Sequence, residues 1–84
     1  MKLELILEQT QVNLSLLNDG KIIASEIFSY YHDLDDKLIT RLDRLLKRNK
    51  IDVSSLKSYK ILGGLGSEAT SHKIAEAFIA GLKV

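Results

Sequence analysis

The spacing of the apolar residues changes once along this chain, and that change restricts the fold more than any other feature. Between residues 2 and 28 apolar side chains recur at about every second position, as in strands with one buried face. Between residues 33 and 50 they recur at steps of three and four, as in a helix with one buried stripe. Because strands followed by helices bury their apolar faces by packing together, the sequence predicts a mixed α/β domain.

The first part of the chain reads as an antiparallel meander. Three strands are predicted at residues 2–8, 12–17 and 21–28. The Asp19-Gly20 pair separates the second strand from the third, and both residue types tolerate the positive φ of a tight hairpin turn. The three strands therefore follow one another up and down within one sheet.

The rest of the chain predicts two helices with a strand between them. The first helix is expected at residues 33–49, the fourth strand at 58–62 and the second helix at 67–82. A leucine stripe, widened by Ile39, marks the first helix: Leu34, Leu38, Leu42, Leu45 and Leu46. The apolar stripe of the second helix is expected to be Ile74, Phe78 and Leu82, with Ala75 and Ile79 beside it and small residues nearby. The predicted order is β-β-β-α-β-α, a meander followed by a crossover.

Size and composition favour a small domain that associates with another subunit. With 84 residues the chain forms one domain with a limited core, and it has no cysteine for disulfides or thiolate metal sites. A net charge of +1 gives no electrostatic argument for direct nucleic-acid binding. No apolar run is as long as a membrane span and the first residues do not resemble a signal peptide, so a cytoplasmic protein is expected.

The glycine-rich segment between the fourth strand and the second helix allows two interpretations. Backbone N–H groups of Gly64, Gly66 and Ser67 could hold a phosphate at the start of a helix. The segment lacks the Lys-Ser/Thr pair of a P-loop, however, and Glu68 would place a negative charge beside the phosphate. We therefore favour a sharp strand-to-helix turn with Ser67 as the helix N-cap, and we expect no cofactor.

Two other groups of polar residues favour structural roles over chemistry. The acidic cluster that follows His32 is best explained as a solvated helix start, because carboxylates are favourable at that end of the helix dipole. His72 has no cysteine nucleophile to activate and no evident partner that would orient its imidazole. Neither group predicts a catalytic residue or a metal site.

Three segments resemble the start of the TsaB/YeaZ family, whose members take part in making threonylcarbamoyladenosine on transfer RNA. The segment LSLLNDGKIIASE resembles the family's second and third strands, and LITRLDRLLKRNKIDVSSLKSYKIL resembles its first helix, loop and fourth strand. The segment GLGSEATSHKIAEAFIAGL resembles the signature G-P-G-S-F-T-G-L-R-I-G-x-A-x-A-K-G-L after one insertion. The resemblance covers nearly all of this chain but only the first part of a usual family member.

This resemblance implies a ribonuclease-H-like, or actin-like ATPase, half-domain that acts as a non-catalytic scaffold. In the family, the two helices pack on those of a partner, so the implied partner is a TsaD-like subunit or a second copy of this chain. The candidate contacts are Ile39, Leu46, His72, Lys73, Glu76 and Ile79. Two alternatives stay open at this point: a nucleotide-binding fragment of the actin-like ATPase type, and a stand-alone homodimeric structural protein.

Overall fold

The chain folds into a mixed α/β domain with a four-stranded sheet and two helices. The computed structural model describes residues 1–64 and 69–82. The elements are β1 (Lys2–Leu7), β2 (Gln11–Asn18), β3 (Lys21–Ser29), α1 (Leu34–Arg48), a short 3-10 turn (Val53–Ser55), β4 (Ser58–Leu62) and α2 (Thr70–Leu82).

The sheet has the strand order β3-β2-β1-β4 and mixes antiparallel with parallel pairing. β1 lies in the interior of the sheet, antiparallel to β2 on one side and parallel to β4 on the other. The parallel pair requires the chain to cross from β3 over the sheet to β4, and α1 makes this crossing. β3 and β4 are therefore the two edge strands.

The β2–β3 hairpin has a tight turn and one irregularity. Asp19 and Gly20 have φ values of 53° and 78°, the left-handed region that their residue types tolerate. Near the turn, Leu16 lies opposite Ala24 while Leu17 lies opposite Ile22. One residue of β3, Ile23, is therefore extra, and this β-bulge separates the start of β3 from its regular half.

One face of the sheet, the covered face, forms the core with the helices. Its largest contribution comes from alternate residues of β1 and β2, all of them buried: Leu3, Leu5, Leu7, Val12, Leu14 and Leu16. The predicted leucine stripe of α1 is confirmed, since Leu34, Leu38, Leu42, Leu45 and Leu46 are all buried. The apolar residues that the strand spacing and the helix spacing identified therefore pack together in one hydrophobic cluster.

α2 buries most deeply the two residues that were expected beside its apolar stripe. The structure buries Ala75 and Ile79 most deeply, whereas Ile74, Phe78 and Leu82 are only partly buried against the core. The helix contacts α1 as well as β1 and β4 of the sheet. The residues that it buries are therefore set by α1 and the sheet together. The predicted helix start at residues 67–68 lies outside the described residues.

The other face of the sheet, the open face, carries apolar and polar side chains together. Ile22 and Ile27 are each 63% exposed there, and Leu62 is also exposed. Lys2 and Glu4 form an ion pair of 3.4 Å on the same face of β1. Among the described residues, no helix has the length and hydropathy needed to cross a membrane.

Candidate interaction surface

The turn after β4 begins with a glycine that no other residue could replace without strain. Gly63 has φ +119°, and a Cβ atom built there would lie 2.1 Å from the carbonyl oxygen of Leu7. The contact arises because β1 and β4 run parallel, so the end of β4 passes the end of β1. Backbone geometry therefore explains this glycine.

The backbone amide of the next residue, Gly64, is already hydrogen-bonded to a carboxylate. Gly64 donates its backbone N–H to Oε2 of Glu8 at 3.3 Å. The main chain of Glu8 is held in turn, because its carbonyl oxygen accepts a hydrogen bond of 2.7 Å from the hydroxyl of Tyr30. While these bonds are formed, the Gly64 amide is not free for a phosphate. The other two residues of the predicted phosphate turn, Gly66 and Ser67, lie outside the described residues.

A shallow apolar groove, here called the α1–α2 groove, runs between the two helices near the end of α2. It has a volume of about 200 Å³. Its lining residues are Ile39, Leu42, Asp43, Leu46, Val53, Phe78 and Leu82. Ile39 is 60% exposed and Val53 is 40% exposed, whereas Leu42 and Leu46 are buried and form its floor. Of the six predicted contact residues, the structure brings Ile39 and Leu46 together here.

A second groove, the α2–β4 groove, collects three more of the predicted contacts. It has a volume of about 430 Å³ and lies between α2 and the edge strand β4. Its lining residues are Tyr59, Lys60, Ile61, His72, Glu76, Ile79 and Ala80. Ile79 is almost completely buried, so only its margin reaches the groove. The sixth predicted residue, Lys73, is exposed on α2 and lines neither groove.

His72 lies against a carboxylate on its own helix. Its Nδ1 atom is 2.8 Å from Oε1 of Glu76, one turn further along α2. That nitrogen is buried, yet the contact lacks the alignment of a hydrogen bond, so we treat it as a close polar contact only. In the part of the chain that the structure describes, no three His, Asp or Glu side chains are placed to hold a metal ion.

The acidic residues at the start of α1 lie where the sequence placed them. Asp35 and Asp36 occupy the first turn, and Asp33 precedes it. The Asp33 carboxylate accepts the backbone N–H of Tyr31 at 3.1 Å, and this hydrogen bond lowers the pKa of Asp33. Lys37, at 4.0 Å, lowers the pKa of Asp33 further. The cluster therefore organises the entry into the helix.

An ion cluster between β3 and α1 is a feature that sequence reasoning missed. Glu26 lies on the covered face with its side chain only 8% exposed, and it accepts hydrogen bonds from Arg41 at 3.1 Å and from Arg44. Burial raises the pKa of Glu26, but the hydrogen bonds from Arg44 and Arg41 outweigh it and leave the pKa lowered. Arg41 also lies 5.6 Å above the ring of Phe28. The cluster joins α1 to an edge of the sheet.

Comparison with known proteins gives a structural neighbour and no sequence relative. No family model matches the chain, and no curated protein matches its sequence. Among solved structures, YeaZ from Pseudomonas aeruginosa is similar, with a TM-score of 0.78 and 21% sequence identity. The match covers 96% of this chain and 37% of that chain. At this identity the comparison shows a shared fold, and this chain spans little more than a third of the neighbour's length.

Proposed function

We propose that this chain is a non-catalytic, TsaB-like scaffold that holds a TsaD-like subunit in the threonylcarbamoyladenosine modification of transfer RNA. The proposal assigns the domain to the ribonuclease-H-like, or actin-like, half-domain fold. Two independent lines support it: the resemblance of three sequence segments to the TsaB/YeaZ family, and a shared fold with YeaZ over 96% of the chain.

The observation that carries the proposal is the exposed apolar surface where α1 and α2 meet. Ile39 projects from α1 with most of its side chain exposed, next to Phe78 of α2 in the α1–α2 groove. Ala77 and Ala80, also exposed, leave room for another helix to approach α2 closely. A partner that lays two helices across this surface would cover apolar area that the domain leaves in water.

The proposed mechanism is to stabilise the partner's active conformation, not to carry out chemistry. Support comes from the Glu8 carboxylate, which engages the Gly64 amide at the position where a phosphate would otherwise be held. Placing a phosphate there would first require that internal bond to break, and it would bring two anions together.

The test is complex formation with the TsaD-like protein of the same cell, measured by light scattering and by calorimetric titration. We expect a stable complex with the unmodified chain and loss of that complex with Ile39→Lys. Ile27→Lys is the matched control, because Ile27 is 63% exposed and Ile39 60% exposed, but Ile27 lies on the open face. We expect this control to bind normally.

Two results would contradict the proposal. One is the absence of any complex, or a complex that tolerates Ile39→Lys as well as it tolerates the control. The other is binding of ATP with magnesium more tightly than about 1 mM, which would support the nucleotide-binding alternative.

A further inference from the structure

The chain leaves the sheet for both helices from the same end of the sheet. β1, β3 and β4 run in one direction, because β2 is antiparallel to β1 and to β3, and β4 is parallel to β1. The last residues of these strands, Leu7, Ser29 and Leu62, therefore lie at one end of the sheet. The connection to α1 begins after Ser29, and the connection to α2 begins after Leu62. Glu8 follows β1 between these two connections.

The main chain of Glu8 holds the connection that leads to α1. Its carbonyl oxygen accepts the hydroxyl of Tyr30 at 2.7 Å, and its own N–H donates to the carbonyl oxygen of Gln11 at 2.9 Å. Tyr30 is buried, and its backbone N–H donates to the carbonyl oxygen of Thr10 at 3.0 Å. Because a buried hydroxyl without a partner is costly, the bond from Tyr30 fixes the main chain of Glu8 to the end of β3.

The side chain of Glu8 holds the connection that leads to α2. Its Oε2 atom accepts the backbone N–H of Gly64 at 3.3 Å, and a Cβ atom added to Gly64 would lie 2.9 Å from that oxygen. One residue earlier, Gly63 approaches the main chain of Leu7 so closely that an added Cβ atom would overlap it. The connection to α2 is therefore held to the end of β1 at two successive residues.

We propose that Glu8 is a positioning residue that ties the two connections to each other and so sets how α1 and α2 lie relative to one another. We call this pair of contacts the Glu8 link: the carbonyl oxygen of Glu8 on Tyr30, and its carboxylate on Gly64. A change at Tyr30 then reaches Gly64 through the one residue that contacts both.

The Glu8 link has its largest effect at the far ends of the helices. Ala75 and Ile79 hold the middle of α2 in the core, so the link acts on the direction of the helix and not on its formation. The 13 residues of α2 span about 20 Å, and a small rotation therefore displaces Phe78 and Leu82 more than the middle of the helix. Both of these residues line the α1–α2 groove, so the link sets the width of that groove.

A preformed groove favours the docking of a partner, because less conformational freedom is lost on binding. In this step the role of Glu8 rests on the proposed function. The coupling between the two connections does not, since it is a property of the isolated chain.

The first experiment measures amide hydrogen exchange in the isolated chain by NMR. We expect Glu8→Ala to speed the exchange of Gly64 and Lys73 by roughly two- to tenfold, the equivalent of one net hydrogen bond. The Lys73 amide reports on the start of α2, where it donates to the carbonyl oxygen of Ala69 at 3.2 Å. Glu8→Gln keeps an acceptor oxygen and should restore most of the protection. The amide of Leu14, in the centre of the sheet, is the reference and should be unchanged.

A double-mutant comparison tests the coupling itself. Tyr30→Phe should speed the exchange of Gly64 in the unmodified chain but not in Glu8→Ala, because the effect passes through the Glu8 carboxylate. Tyr31→Phe is the matched control, since Tyr31 is 84% exposed, and it should leave Gly64 unchanged. Additive effects of Tyr30→Phe and Glu8→Ala would overturn the proposal. So would equal acceleration of Leu14, which would show a loss of stability throughout the domain.

A binding measurement separates the role of Glu8 from the proposed function. With the TsaD-like protein, we expect Glu8→Ala to weaken the complex by roughly two- to tenfold and Glu8→Gln to bind like the unmodified chain. If the unmodified chain forms no complex, the proposed function is wrong, and hydrogen exchange alone decides whether Glu8 couples the connections. Faster exchange in Glu8→Ala with unchanged binding would show that the Glu8 link does not set the groove.

Discussion

The two faces of the sheet carry apolar residues in comparable positions but use them differently. On the covered face, Leu5 and Leu14 lie opposite each other and are completely buried under the helices. On the open face, Ile6 of β1 has Leu62 beside it on β4, and Ile27 lies beyond Asn13 on β3. Ile27 and Leu62 are exposed. The covered face therefore holds the domain together, whereas the open face and its edge are free to contact other molecules.

The largest expected effect separates the two faces directly. Leu14→Ala on the covered face should lower the free energy of unfolding by roughly 2–5 kcal/mol, because it leaves a cavity in a fully packed core. Ile22→Ala on the open face should change it by about 0.5 kcal/mol or less. Urea unfolding followed by circular dichroism measures both. Equal losses would show that the open face is covered in solution.

The next effect concerns the turn that brings the chain from the sheet into α2. Gly63→Ala should cost roughly 1–3 kcal/mol from its positive φ, with a further cost from overlap with the Leu7 carbonyl. Gly20→Ala is the control: its φ is also positive, but no atom lies within 4 Å of the added Cβ. If both substitutions cost the same in urea unfolding, the close approach of β4 to β1 does not restrict this position.

A smaller effect comes from the one carboxylate that β3 turns to the covered face. Glu26→Gln should lower the free energy of unfolding by about 1.5 kcal/mol at neutral pH. The uncharged amide oxygen of glutamine is a weaker hydrogen-bond acceptor for the two arginines than the carboxylate. The pKa of Glu26 is lowered in the folded state, so the folded state holds this proton less tightly than the unfolded chain.

The sign of the pH dependence follows from that lowered pKa. The stabilisation is complete above the ordinary value of 4.5 and is lost as the pH falls through the lower folded-state pKa. The melting temperature of the unmodified chain should therefore decrease below about pH 4.5 more steeply than that of Glu26→Gln. Parallel curves for the two proteins would show that the ion cluster does not contribute.

The smallest expected effect distinguishes two adjacent tyrosines. Tyr30→Phe should cost about 0.5–1.5 kcal/mol, because Tyr30 is buried and its hydroxyl donates to the Glu8 carbonyl. Tyr31→Phe should have no measurable effect, because Tyr31 is 84% exposed. Thermal unfolding of the two variants provides the comparison. A loss with Tyr31→Phe would mean that the Tyr31 hydroxyl makes a stabilising hydrogen bond in solution.

Some of these elements could be predicted from the sequence because the patterns that identify them are local. Alternation along β1 and β2 identified the buried leucines, and the spacing of three and four identified the stripe of α1, including Leu38 and Leu45. The Asp19-Gly20 turn followed from backbone preferences of those two residue types. In each case the property belongs to a few neighbouring residues, so no tertiary contact was needed to read it.

Other parts depended on contacts between distant segments and could not be read in this way. Glu26 looked like any polar residue of a strand, and only the packing of α1 on β3 showed that it binds two arginines. The sequence placed Ala75 and Ile79 beside the apolar stripe of α2, and only the contacts of this helix with α1 and with the sheet made them its most deeply buried residues. The link from Glu8 to Gly64 joins residues 56 positions apart.

By itself, the sequence determined which segments are strands and helices and which leucines are buried in the core. Those properties depend on backbone preferences and on the apolar period, which are local. Only the tertiary structure decided which face of the sheet stays open, which edge is unpaired and why Gly63 must be a glycine. These features exist only once β1 has paired with both β2 and β4, because that pairing brings distant parts of the chain into contact.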